Sequence, residues 1–108
     1  MTMVSGISSS KFPLGRLLMS RAVAETSGHD LAFASFVYQS LKRHSQGDWG
    51  DLDAEDKAMN DTAYLVKWDP NEGGDRVFSA YEAKGLPKIW VITEADRSAT
   101  TVIFPEDY

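Results

Sequence analysis

A chain of 108 residues that is 43% hydrophobic, with five Phe, four Tyr and three Trp, is long enough for one domain around one core. It holds no cysteine and two histidines, His29 and His44, which excludes a disulfide framework, a thiol nucleophile and thiolate metal sites and suits the cytoplasm. A net charge of −5 and a pI near 4.8 leave no general basic face for phosphates, so no direct nucleic-acid binding is expected.

Residues 1–10, rich in Ser, Gly and Thr, read as a frayed tail without the charged and apolar regions of a secretory signal, and residues 11–108 as a single domain. No apolar run approaches the ~20 residues of a membrane span. In the segment Phe12–Met19 the apolar run Leu17-Leu18-Met19 reads as a short strand or an extended lead-in, and as a strand it would be a fourth, at the sheet edge.

A first helix is expected from the spacing of Leu31, Ala34, Val37, Tyr38 and Leu41, widened by Phe33 and Phe36. Ser27 is placed as its N-cap, with Asp30 completing a capping-box pattern. Lys42, Arg43 and His44 fall in its last turn as cations at the negative helix end, and Gly47 closes it. A second helix is expected over Ala54–Lys67, capped by Asp53, with Ala58, Thr62, Leu65 and Val66 on its apolar side. The turn cluster "DPNEGGD" ends it.

The last third changes period. "RVFSAYEA", "KIWVIT" and "TTVIF" are rich in aromatic and β-branched residues and are separated by turn-like links. The expected class is α+β: a small antiparallel sheet of three to four strands with two helices packed on one face.

Charge is concentrated between Asp48 and Asp61. The six carboxylates Asp48, Asp51, Asp53, Glu55, Asp56 and Asp61 stand against the single base Lys57, a balance of −5 that equals the net charge of the whole chain. A calcium loop starting at Asp51 would need a glycine at its sixth position and a bidentate Glu at its twelfth, where Asp56 and Thr62 stand. Metal binding is therefore not expected there. Helix-start chemistry accounts for Asp53, Glu55 and Asp56, because acids near an N-terminus accept orphan N–H groups and complement the dipole. Asp48, Asp61 and Asp51 remain as a surplus directed at a partner, and Trp49 reads first as a core plug and second as an anchor for that partner.

Glu94, Asp96 and Arg97 lie in a strand link, where Arg97 either pairs locally or forms a small polar site for a carboxylate or phosphate. Asp75, Glu82 and Lys84 resemble the carboxylate–lysine set of a metal-dependent nuclease or hydrolase. A Ser79–His44–Asp96 trio can be drawn, but no "GxSxG" elbow supports it. No catalytic residue and no cofactor is assigned.

Together the phrases "FPLGR", "RHSQGDWGDLDAEDKAMND", "SAY" and "KIWVITEADRSATTVIFPEDY" resemble a group of short bacterial proteins carried on plasmids and integrated elements. The resemblance spans Phe12 to Tyr108, with a longer link at "KWDPNEGGDRV". It implies no reaction. It implies a non-enzymatic protein of a mobile element that binds host machinery, as anti-CRISPR and anti-restriction proteins do. On this reading the partner-binding residues are Asp48, Trp49, Asp51, Asp53, Glu55, Asp56 and Asp61, and the partner is a host defence complex such as a CRISPR effector, met through a basic nucleic-acid-binding surface. An antitoxin-like regulatory partner is the other interaction reading. The chain is expected as a monomer or weak homodimer.

Overall fold

The computed structural model describes residues 2–3, 10–65 and 75–108. The elements in chain order are β1 (Thr2–Met3), β2 (Arg16–Met19), α1 (Arg21–His29), α2 (Leu31–Ser45), α3 (Ala54–Leu65), β3 (Val77–Tyr81), β4 (Ile89–Thr93) and β5 (Ala99–Ile103), followed by a 3-10 turn at Pro105–Asp107. The class is α+β. The five strands form one sheet in the order β1-β2-β5-β4-β3.

The meander β3-β4-β5 is antiparallel, in the register Val77↔Thr93 and Val91↔Val102. The sheet as a whole is mixed, which corrects the purely antiparallel expectation. β2 runs parallel to β5, Leu17 opposite Thr100, because the chain travels through α1 and α2 before it returns. β2 is also no edge strand, since Met3 and Thr2 pair with Leu18 and Met19 on its other side. Of the expected tail, residue 1 and residues 4–9 lie outside the described residues, as do Val66–Lys67 and most of the "DPNEGGD" cluster.

Two helices stand where the sequence reading placed one. Ser20, not Ser27, is the first N-cap: its hydroxyl accepts from Val23 N at 3.2 Å and starts α1. Ser27 lies within α1. Asp30 then breaks the helix with extended dihedrals and caps α2 by accepting from Phe33 N at 3.1 Å. The buried stripe of α2 runs through Phe33, Val37 and Leu41, as expected, and continues to His44, whereas Leu31 at the helix start is 88% exposed. α3 buries Asn60 and Ala63, whereas Ala58 and Thr62 of its expected apolar side are exposed.

The core lies between α1, α2 and the sheet face that carries Leu17, Val77, Tyr81, Ile89, Val91 and Val102. His44 sits inside it, fully buried rather than a solvated cation at a helix end. Its Nε2 is 2.9 Å from Thr93 Oγ1, and its Nδ1 meets the hydroxyl of Ser79. Thr93 Oγ1 is 2.6 Å from Thr100 Oγ1, which donates to the carbonyl of Leu14 at 2.7 Å.

That terminal carbonyl fixes the direction of three bonds. Leu14 O can only accept, so the one hydroxyl proton of Thr100 goes to it. Thr93 must then donate to Thr100, and His44 Nε2–H to Thr93. Nδ1 is left to accept from Ser79. The imidazole is neutral in this setting, because burial first, with the Arg97 charge second, pushes the His44 pKa down to about 3, and the neutral ring accepts from Ser79 at Nδ1.

A histidine neutral when folded, but protonated below about 6.5 when unfolded, contributes stability above that pH and loses it as pH falls toward the folded value. Between pH 6 and pH 4.5, urea unfolding of the wild-type chain should therefore lose about 1.4 kcal/mol per pH unit more than the His44→Gln variant loses. Equal slopes would contradict a neutral buried imidazole.

Candidate functional site

The acidic segment begins where α2 ends. Gln46 N and Gly47 N bond back to Arg43 O and His44 O, and Gly47 takes a left-handed φ of 79° that turns the chain out of the helix. Trp49 folds inward and is 3% exposed, with Phe12 and His44 against its ring at centroid distances of 6.0 and 5.6 Å. A core plug with a polar tip needs a partner for its N–H, and Asp61 Oδ1 accepts it at 2.8 Å. Trp49 therefore offers no exposed anchor.

The next residues run alongside β3. Gly50 forms a parallel bridge with Ala80, Asp51 N donates to Ala80 O at 2.7 Å, and Ala80 N donates to Trp49 O at 3.3 Å. Glu82 N donates to Asp51 Oδ2 at 2.7 Å. From α3, Asn60 Oδ1 accepts from Phe78 N at 3.1 Å, and its amide donates to Phe78 O. β3 is the last strand of the sheet, and Phe78, Ala80 and Glu82 carry its outward backbone groups. The acidic segment and Asn60 thus satisfy an edge that would otherwise be open. Only glycine fits the closest approach: at φ 74° a Cβ on Gly50 would stand 2.0 Å from Ala80 O.

The carboxylates divide accordingly. Asp48 grips Arg43 with both oxygens, at 2.7 and 3.1 Å, and also accepts from Gly50 N, so the Arg43 hydrogen bond holds its carboxyl below the usual range. Arg43 lies over the Tyr81 ring, and the Tyr81 hydroxyl donates to Asp48 O at 2.6 Å. Asp53 caps α3 by accepting from Asp56 N at 2.8 Å. Asp48, Asp51 and Asp61, the surplus that sequence reasoning directed outward, all have internal partners. Glu55 and Asp56 have carboxylates with no partner among the described residues.

The other sequence-level candidates are structural in their contacts. Arg97, at φ 60° in the β4–β5 turn, donates to the carbonyls of Asp75, Glu94, Ala95 and Ala63, which ties the hairpin to α3 and the start of β3. Asp96 accepts from Ser98 N at 2.9 Å, and Glu94 is exposed. Ser79 and His44 do meet, but both are fully buried with Thr93 as third member, and Asp96 is exposed in the turn. Asp75 and Glu82 flank opposite ends of β3, on the order of 20 Å apart along an extended chain, so they cannot share one metal ion. Among the described residues no group of three or more His, Asp or Glu is placed to hold a metal, and no helix is long and apolar enough to cross a membrane.

Sequence reasoning missed Asn60 and Gly50 and took His44 for a cation at a helix end. The spacing of Val37, Leu41 and His44 was the available signal for the histidine. Asn60 and Gly50 act on backbone groups and leave none.

Comparisons with protein-family models, curated proteins and solved structures return no match to this chain.

Substitution should separate the two groups of polar residues. Asn60→Ala strands two part-buried backbone groups and is expected to cost about 2 kcal/mol in urea unfolding, whereas Glu55→Ala should cost less than about 1 kcal/mol. Similar costs for both would mean that the edge contacts carry no stability.

Proposed function

We propose that the chain is a non-enzymatic interaction protein that inhibits a host defence complex, such as a CRISPR effector, by offering an acidic face to a basic nucleic-acid-binding surface. One observation carries this reading. Asp51, Asp53, Glu55, Asp56 and Asp61 are all exposed on α3 and the loop before it, with Lys57 as the single base among them. Asp48 contributes little, because Arg43 neutralises it.

The scaffold supports such a role. Edge closure fixes the segment against β3, so its charges are presented in a preset arrangement rather than on a loose loop, which lowers the ordering cost of binding. A clustered negative potential steers encounter with a basic groove and sets register, and its effect falls as salt rises. The resemblance to mobile-element proteins supports host machinery as the target class. The metal-dependent nuclease reading has no support in the placement of Asp75, Glu82 and Lys84.

Binding to a purified CRISPR effector complex tests the proposal. Changing Glu55→Lys and Asp56→Lys together should weaken binding about tenfold or more, mainly through association rate, and should flatten the salt dependence. Unchanged affinity in that variant would remove the acidic face from the mechanism.

A further inference from the structure

Beside the acidic face, between α3 and β3, lies an open groove of about 360 Å³. Leu52, Met59 and Phe78 supply its apolar lining beside the polar Asn60, and Met59 is 64% exposed, an unusual position for a large apolar side chain on a charged helix. Two carboxylates line the same groove, Asp56 from the first turn of α3 and Asp75 from the approach to β3. Neither makes a hydrogen bond or ion pair through its carboxylate among the described residues, and of the two Asp75 alone lies within the field of the Arg97 charge. The one cation in the lining, Arg76, has its guanidinium over the Tyr108 ring, 5.1 Å from the centroid.

A groove of mixed lining, with apolar side chains beside carboxylates from two elements, matches one kind of side chain. It suits a long aliphatic stem that ends in a delocalised cation, which can lie on an aromatic face and bond to carboxylate oxygens together. A lysine ammonium is more strongly hydrated and lacks the planar fork. A neutral apolar side chain would leave both carboxylates unanswered, and an anion would be repelled.

The geometry points to this groove as a receptor for an arginine side chain of the basic partner, with the stem between Met59 and Phe78 and the guanidinium at Asp56 and Asp75. The inference rests on the proposed basic partner and deepens it, by assigning the contact that fixes register within a charged interface. The remaining acidic residues act at longer range, while this groove recognises one side chain by shape and charge.

The experiment uses the full chain and a free probe, so its result does not depend on any partner. Acetyl-arginine methylamide is titrated at low ionic strength while the Met59 methyl and Phe78 ring signals are followed by NMR. Saturable shifts at those two residues are expected, with a dissociation constant on the order of 1–10 mM, as suits a single side chain. The neutral isostere acetyl-citrulline methylamide should produce none, and the Asp56→Asn/Asp75→Asn variant should lose saturation with the arginine probe. Both positions are exposed, so that variant should remain folded, with backbone amide shifts unchanged elsewhere in its spectrum. Absent saturation, equal response to citrulline, or shifts spread evenly over Asp51, Asp61 and the groove would each overturn the proposal. Such a failure alongside weakened partner binding by the Glu55→Lys/Asp56→Lys variant would remove the groove and leave the acidic-face reading standing.

Discussion

The outer edge of β3 is the constraint around which the second half of this protein is arranged. A sheet that ends in an unpaired strand presents a row of free N–H and C=O groups, and such a row invites pairing with any other chain. Here the row is answered by three different devices in sequence: the Asn60 amide at Phe78, the Trp49–Asp51 backbone at Ala80, and the Asp51 carboxylate at Glu82. Each device needs the others. Gly50 lets the backbone approach, Trp49 pins the loop to the core, and Asp61 satisfies the buried indole from the helix that also carries Asn60.

The inner side of the same strand depends on His44. Its imidazole joins α2 to Ser79 of β3 and Thr93 of β4, and the bond chain continues through Thr100 of β5 to Leu14. Five segments of the chain are thus fixed by a polar line in which every donor has one acceptor. Such a line specifies register as well as stability, because a slip of one residue in β4 or β5 would turn Thr93 or Thr100 away and leave buried groups unsatisfied. Phe12 and Trp49 pack around the same imidazole, so the core plug of the acidic segment and the polar line share one environment.

Much of the fold was legible because it was written in side-chain periodicity. The three strands of the meander announced themselves through β-branched and aromatic runs, and α2 through its apolar spacing. α1 was hidden: "RAVAETSGH" has a single buried residue, Val23, and its start depends on the Ser20 hydroxyl. The parallel pairing of β2 with β5 was invisible because it joins residues more than eighty positions apart through backbone groups alone. The acidic segment was misapportioned for a related reason. Carboxylates at a helix start have a local signature, whereas Asp51 answers a backbone N–H thirty-one positions away and Asp61 an indole twelve positions away. The surplus that looked directed outward makes internal bonds, although Asp51 and Asp61 stay exposed, and the carboxylates with no partner among the described residues are Glu55 and Asp56 at the helix start.

The central claim is that this segment acts first as the missing neighbour of β3 and only then as an interaction surface. Amide hydrogen exchange along β3 tests it most directly. Phe78, Ala80 and Glu82 should exchange as slowly as Val77, Ser79 and Tyr81, whose backbone groups face β4. A strict alternation, with the three outward amides exchanging at the rate of free edge groups, would contradict the account.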